Sequence, residues 1–238
     1  MSRNVTRIDN SGRGMPFRVT NLRQFEMHPV LVRIMKKTLW ILFALSAVAI
    51  GFYPAMYFVI DPQFGLLSTK SNALLSNLCW NIGFYTHILA GGIALLIGWS
   101  QFSAALRTRY KSMHRALGKL YVIAAVLSGV AGLSIGFYAT GGPIAATGFI
   151  CLAMVWLGTT LKAYNYIRHG RVMKHENLML YSYAACFAAV TLRIWLPFLI
   201  MIFQDFIPAY RVVAWLCWVP NLLVVRLFFV PKLAINVS

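Results

Sequence analysis

Acid is the scarcest chemistry in this chain. Asp9, Glu26, Asp61, Glu176 and Asp205 are its only five carboxylate side chains, against 22 Lys and Arg, in 238 residues. Charged residues make up 11% of the chain, where a soluble domain carries about 25%, so a water-soluble globule is excluded. The cysteines form no pattern. Cys79, Cys151, Cys186 and Cys217 lie far apart in apolar segments without a CxxC pair. Neither a zinc site nor a redox dithiol is signalled, and they read as small packing residues. No Walker loop, HExxH, GxSxG or dinucleotide fingerprint occurs, which leaves the enzyme classes built on those motifs unsupported. A signal peptide is not expected, because the first apolar run is long and ends without a small-residue cleavage pattern.

What is present is hydrophobic residue, 60% of the chain with a mean hydropathy of +0.69. It comes in long blocks rather than on one helix face, the pattern of helices whose solvent is lipid. A span needs about 20 residues, so the length allows about six. The expected fold is all-α: a polytopic membrane bundle of six transmembrane helices, both termini cytoplasmic. A basic arm, 1–37, precedes a membrane domain, 38–235, with spans near 38–60, 79–105, 114–138, 144–167, 175–203 and 210–230. Asp61-Pro62, Thr140-Gly141-Gly142-Pro143 and the Asp205–Pro208 segment supply turns. Within the arm, Leu22 to Lys37 reads as an amphipathic helix lying on anionic lipid headgroups.

The net charge of +17 resembles a nucleic-acid signal, but its distribution excludes that reading. Eight Lys and Arg sit in the arm, five around the second loop (Arg107, Arg109, Lys111, Arg115, Lys119) and three in the fourth (Arg168, Arg171, Lys174). The remaining loops hold Lys70 and Arg211. This asymmetry places both termini and the second and fourth loops in the cytoplasm by the positive-inside rule. Six of the tryptophans, Trp80, Trp99, Trp156, Trp195, Trp215 and Trp218, read as interfacial anchors near span ends. Gly91, Gly92 and Gly98, with Ser128, Gly132 and Gly136, serve either close helix packing or room for a flat cofactor.

Ionisable side chains inside spans are functional candidates because lipid makes them costly. At a rise of about 1.5 Å per residue, His87 and Arg193 both lie about 27 Å from the cytoplasmic face. His114 and His175 each open a span at that face, so they share the inner level. Two imidazoles on neighbouring helices are the usual axial ligands of a b-type haem, with Arg115, Lys119 and Lys174 available to its propionates. The alternative makes both histidines interfacial residues beside basic loops. At the outer level His87 has no second histidine. Arg193 beside it favours an anion, a quinone carbonyl or a propionate, and the alternative is a buried His87 bonded to a backbone carbonyl or to Tyr53 or Tyr57. His28 and His169 read as surface residues.

Four patches carry a resemblance to a known family. They are His87-x3-Gly91 with Gly98-x2-Gln101-Phe102; Arg107-x-Arg109 with His114-Arg115-x2-Gly118-Lys119-x-Tyr121; His175 with Tyr181-Ser182-Tyr183 and Val190-Thr191-Leu192-Arg193; and Trp215-x2-Trp218-Val219-x-Asn221-Leu222. Over about residues 40–230 the chain resembles the bacterial predicted membrane proteins grouped as domain of unknown function 2306. More loosely it is similar to b-type cytochromes and ferric-reductase-like membrane proteins. The resemblance implies a multi-pass protein of a bacterial inner membrane and supplies no established activity. Two positions depart from the family pattern: His175-Glu176 stands where His-Arg is typical, and Arg226 occupies the region where an acid often follows the Asn-Leu pair. The expected function is membrane electron transfer with haem b held by His114 and His175, and a redox partner or quinone near His87 and Arg193. The alternatives are a small transporter, disfavoured by the lack of intramembrane carboxylates, and a non-catalytic accessory subunit.

Overall fold

The computed structural model of the chain describes residues 6–8, 14–16, 29–59 and 65–230. It divides into two units, Met1–Trp40 and Ile41–Ser238. The first holds a small antiparallel ribbon, Thr6–Ile8 paired with Gly14–Pro16, and the opening turns of the first long helix. The second holds the helical core.

Among the described residues six helices are long and apolar enough to cross a membrane: α1 (Val30–Val59), α2 (Leu78–Phe102), α3 (Lys111–Gly136), α4 (Pro143–Arg168), α5 (Val172–Phe203) and α6 (Phe206–Phe229). This is the six-span fold expected from the hydropathy. The first helix starts at Pro29, where a missing N–H costs nothing, and continues past Lys36 and Lys37 to Gly51. Lysine is a good helix former, so charge does not stop the helix. Only the Pro29–Lys37 part of the expected arm helix can be compared, because residues 22–28 and His28 lie outside the described residues. Further on, Pro54 breaks α1 into a tight turn, Tyr53–Ala55, and a short helix, Met56–Val59. A ring in place of an N–H cannot continue the hydrogen-bond ladder.

Burial along α3 runs inside out relative to a soluble helix. Tyr121, Ala125, Ser128 and Gly132 face the core, while Ile123, Leu127 and Val130 are exposed. Small and polar groups mediate helix contact and bulky aliphatics meet the surroundings, as expected where lipid is the solvent. α2 packs on α3, α3 on α4, α4 on α5, and α5 back on α2. The four form a ring in which α3 and α5 lie across a diagonal. α6 sits against α4 and the second half of α5, and the later part of α1 lies on α2, with Gly51 against Gly92 and Leu96.

The tight turns use special backbone. Gly141 and Gly142 have φ of 99° and 73° between α3 and α4, which only glycine adopts freely. Asp205 caps α6 by accepting from the Ile207 N–H at 3.0 Å. Trp156 corrects the anchor expectation: it is buried in the core with Tyr121 and Tyr183. Trp80 and Trp218 are buried as well. Trp156 stands midway along α4, at core depth rather than at an interface, and Trp80, near the start of α2, packs inward on Phe84.

Candidate functional site

Two polar clusters occupy opposite ends of the bundle. The first lies at the basic end, where α2 finishes and α3 and α5 begin. Its reference point is a closed hydrogen-bond circuit in the core. Trp156 Nε1 donates to the Tyr121 hydroxyl at 3.3 Å, Tyr121 contacts Ser182 Oγ at 2.8 Å, Ser182 contacts Thr160 Oγ1 at 2.6 Å, and Thr160 donates to the Trp156 carbonyl at 2.7 Å. An indole N–H only donates and a carbonyl only accepts, so the direction is fixed: Tyr121 donates to Ser182, and Ser182 to Thr160. Every hydroxyl donates once and accepts once.

His114 precedes Tyr121 by seven residues and His175 precedes Ser182 by seven. Successive short turns make α3 and α5 run in the same direction. The histidines therefore stand two turns, about 10.5 Å, below the circuit, on the faces that the circuit brings together. His175, Arg107, Arg115 and Glu176 are the electrostatic neighbours of His114. The structure thus brings His114 and His175 together and leaves Arg115 beside them as an exposed charge. Lys174 turns elsewhere, over the Tyr166 ring at 5.6 Å. His175 donates from Nδ1 to the Ala163 carbonyl at 3.0 Å, which fixes its tautomer and leaves the lone pair on Nε2. His114 Nδ1 is buried without a partner, and so is Gln101 Oε1. Gln101 is only 8% exposed, and its Oε1 lies 3.4 Å from where a side chain at Gly118 would begin, one turn from His114. A free ring nitrogen and a free amide oxygen on one face are complementary and unsatisfied.

The second cluster lies toward the other end. His87 donates from Nδ1 to the Ser128 carbonyl at 2.9 Å, with Ser128 Oγ at 3.1 Å, and that hydroxyl donates back to the His87 carbonyl at 2.8 Å. Of the two roles open to the helix glycines, packing is the one in use here. A Cβ on Gly132 would lie 2.9 Å from His87 Nδ1, and one on Gly91 would lie 3.0 Å from Ser128 Oγ. The backbone-carbonyl bond considered for His87 is present, and Arg193 is also among its electrostatic neighbours. Arg193 donates from Nη1 to the Ala189 carbonyl at 2.8 Å and bonds Tyr53, with its guanidinium carbon 4.0 Å from the centre of the Tyr53 ring. Tyr57 and Tyr210 are further electrostatic neighbours. Of the two described acids, Asp205 caps α6 and Glu176 lies by His114.

Sequence reading missed the circuit, although Tyr121 and Ser182 stand within the quoted patches, and it missed Tyr210; Tyr53 and Tyr57 it named as partners of His87, whereas they lie by Arg193. It also missed the clamp around Asn221. Pro220 interrupts α6 near Cys217. Asn221 Nδ2 then donates to the Cys217 carbonyl at 2.9 Å, to Thr191 Oγ1 at 3.1 Å and to the Ala184 carbonyl at 3.2 Å, while Thr191 donates to the same Cys217 carbonyl. These side chains satisfy backbone that the break frees. Cys186 and Cys217 are buried and unpaired, Cys151 is half-buried and Cys79 is exposed. His169 is exposed, with Nδ1 on the Asn165 carbonyl at 2.9 Å. Among the described residues no group of three or more His, Cys, Asp or Glu is placed to hold a metal ion.

Fold and clusters define a multi-pass helical integral membrane protein with a four-helix core that holds paired histidines at one end and an arginine–tyrosine–histidine cluster toward the other. Residues 84–229, more than half of the chain, match the family described as Predicted membrane protein (DUF2306). The chain belongs to that family. No curated protein and no solved structure matches it.

Proposed function

We propose that this is a membrane electron-transfer protein that holds a b-type haem between His114 and His175. The observation that carries the reading is the placement of the two imidazoles across the α3–α5 diagonal, one heptad below the Tyr121–Ser182 contact. The residues present fit the group. His175 is oriented by the Ala163 carbonyl, as ligating histidines are. The unpartnered His114 Nδ1 has an unpartnered acceptor, Gln101 Oε1, one turn away. Arg107 and Arg115 bring positive charge next to His114, suited to propionates. Haem bound there supplies one-electron redox chemistry. In this reading the basic end faces the cytoplasm of a bacterial inner membrane, the arm and loops contact anionic lipids, and the redox partner is a lipid-soluble quinone.

The test is an absorption spectrum of protein purified from haem-replete cells. A reduced-minus-oxidised b-type spectrum is expected, lost in both His114→Ala and His175→Ala. Colourless wild-type protein overturns the reading. A second reading, a small anion permease, is favoured by the Arg193 charge among neutral phenols. It predicts proteoliposome uptake that falls in His87→Ala, and uptake indifferent to that change removes it.

A further inference from the structure

The Arg193 cluster has a chemistry of its own. A guanidinium carries five N–H donors, and the bonds to Ala189 and Tyr53 use only some of them. Its neighbours are phenols and an imidazole, and it is only half-buried, so it can donate to an oxygen acceptor brought beside it. The wall around it is aromatic. Tyr53 and Tyr57 meet edge to face at 6.1 Å, Tyr57 and Phe84 at 5.4 Å, and Phe84 stacks on Trp80 at 5.3 Å. Both tyrosine hydroxyls converge on Gly65, at 3.4 and 3.5 Å from where a side chain would begin. Its φ of 63° favours glycine, so the backbone passes the hydroxyls with no side chain between. His87, held through Nδ1 by Ser128, keeps Nε2 as its remaining polar atom.

Position narrows the ligand. Arg193 stands ten residues before Phe203, the end of α5, hence about 15 Å inside the helix end. A water-borne carboxylate would lose its hydration to reach that depth. A quinone arrives through the lipid, offers carbonyl acceptors to a guanidinium and presents a flat ring to aromatic side chains. We infer that the cluster binds the headgroup of a membrane-dissolved quinone, with one carbonyl oxygen accepting from Arg193 and the ring beside Tyr53, both half-buried, while Tyr57 and Phe84 pack behind them. Binding does not depend on the haem; only its role as electron exchange partner rests on the electron-transfer reading.

The experiment titrates ubiquinone-1 into the purified full chain in lipid nanodiscs and follows quenching of intrinsic tryptophan and tyrosine fluorescence. Saturable quenching is expected. Arg193→Gln should weaken it by roughly tenfold or more, the scale of a lost hydrogen bond to a charged group. Tyr53→Leu, which removes the ring beside Arg193, should weaken it by about threefold, within the range of one aromatic contact. Arg226→Gln, an exposed position on the last helix, should match wild type. The His114→Ala/His175→Ala double variant should bind as wild type does, which separates this site from the haem. If Arg193→Gln does not fold, Tyr53→Leu and Arg193→Lys decide, because lysine keeps the charge without the planar fork. Non-saturable quenching, or affinity unchanged in Tyr53→Leu and in the folded Arg193 variants, overturns the inference. Displacement by benzoate at equal affinity also overturns it, by making the site a general carboxylate site.

Discussion

Ser182→Ala cuts the hydrogen-bond circuit at its centre. In the native protein Tyr121 donates to Ser182, Ser182 donates to Thr160, and both ends close on Trp156. Tyr121, Thr160 and Ser182 are each 0% exposed, so no water replaces the missing hydroxyl. Two bonds disappear, at about 1 kcal/mol each, and a buried phenol donor is stranded at about 1–3 kcal/mol. Side-chain bonds between membrane helices average nearer 0.6 kcal/mol, which gives a floor of about 1 kcal/mol and an expected loss of about 2–4 kcal/mol. Tyr121→Phe also removes two bonds, but the donor it strands is the Trp156 indole N–H, whose 3.3 Å bond is the longest of the circuit, against the 2.8 Å bond of the phenol that Ser182→Ala strands. Ser182→Ala should therefore cost more than Tyr121→Phe. The double variant should cost less than the sum of the two, since phenylalanine removes the donor that alanine strands. Equilibrium unfolding in mixed SDS micelles measures all three. If Ser182→Ala is no worse than Tyr121→Phe, or the two effects add, the directed circuit is wrong.

Three further outcomes follow from the same geometry. Gly132→Ala places a methyl 2.9 Å from His87 Nδ1, should push the ring off Ser128, and should cost about 1–3 kcal/mol in thermal or detergent unfolding; Gly158→Ala, with open space around it, is the control. Gln101→Leu deletes a buried unpartnered acceptor, so unfolding should show equal or higher stability, by up to about 1–2 kcal/mol, while haem retention falls; a loss of stability would make Gln101 structural. Lys70 donates to the Tyr138 carbonyl, and burial pushes its pKa below the usual 10.5. Between the lowered value and 10.5 the unfolded chain binds more protons, so stability should rise with pH across that alkaline window, and Lys70→Met should flatten the slope in pH-dependent melts.

Much of the frame is legible in one dimension because lipid leaves few solutions. Long apolar blocks separated by short turns give six helices, and a fixed rise per residue puts His114 level with His175 and His87 level with Arg193. Rotation about each helix axis is harder to read. In a soluble helix the polar face marks the outside, but here bulky aliphatics lie outside and the informative residues inside are small or singly polar. The face of α3 that joins Tyr121 to Ser182 is therefore visible only once α5 is in place. Trp156 illustrates the same limit: sequence position suggested an interfacial anchor, and packing makes it both first donor and last acceptor of the circuit. The three tyrosines around Arg193 come from α1 and α6, far apart in the chain, and the α1 pair is set in place by the break at Pro54.

One consequence of that rotation bears on function. His114, Gly118, Tyr121, Ser128 and Gly132 recur along a single stripe of α3. The stripe carries the inner histidine, the spacer for Gln101, the circuit phenol and the two residues that seat His87. α3 thus spaces the two clusters rigidly. From His114 to Ser128 is fourteen residues, about 21 Å, with the Tyr121–Trp156 contact halfway. Neither cluster can shift along the bundle without displacing the other's partner residues. That coupling holds the two clusters at a fixed distance with aromatic rings at its midpoint.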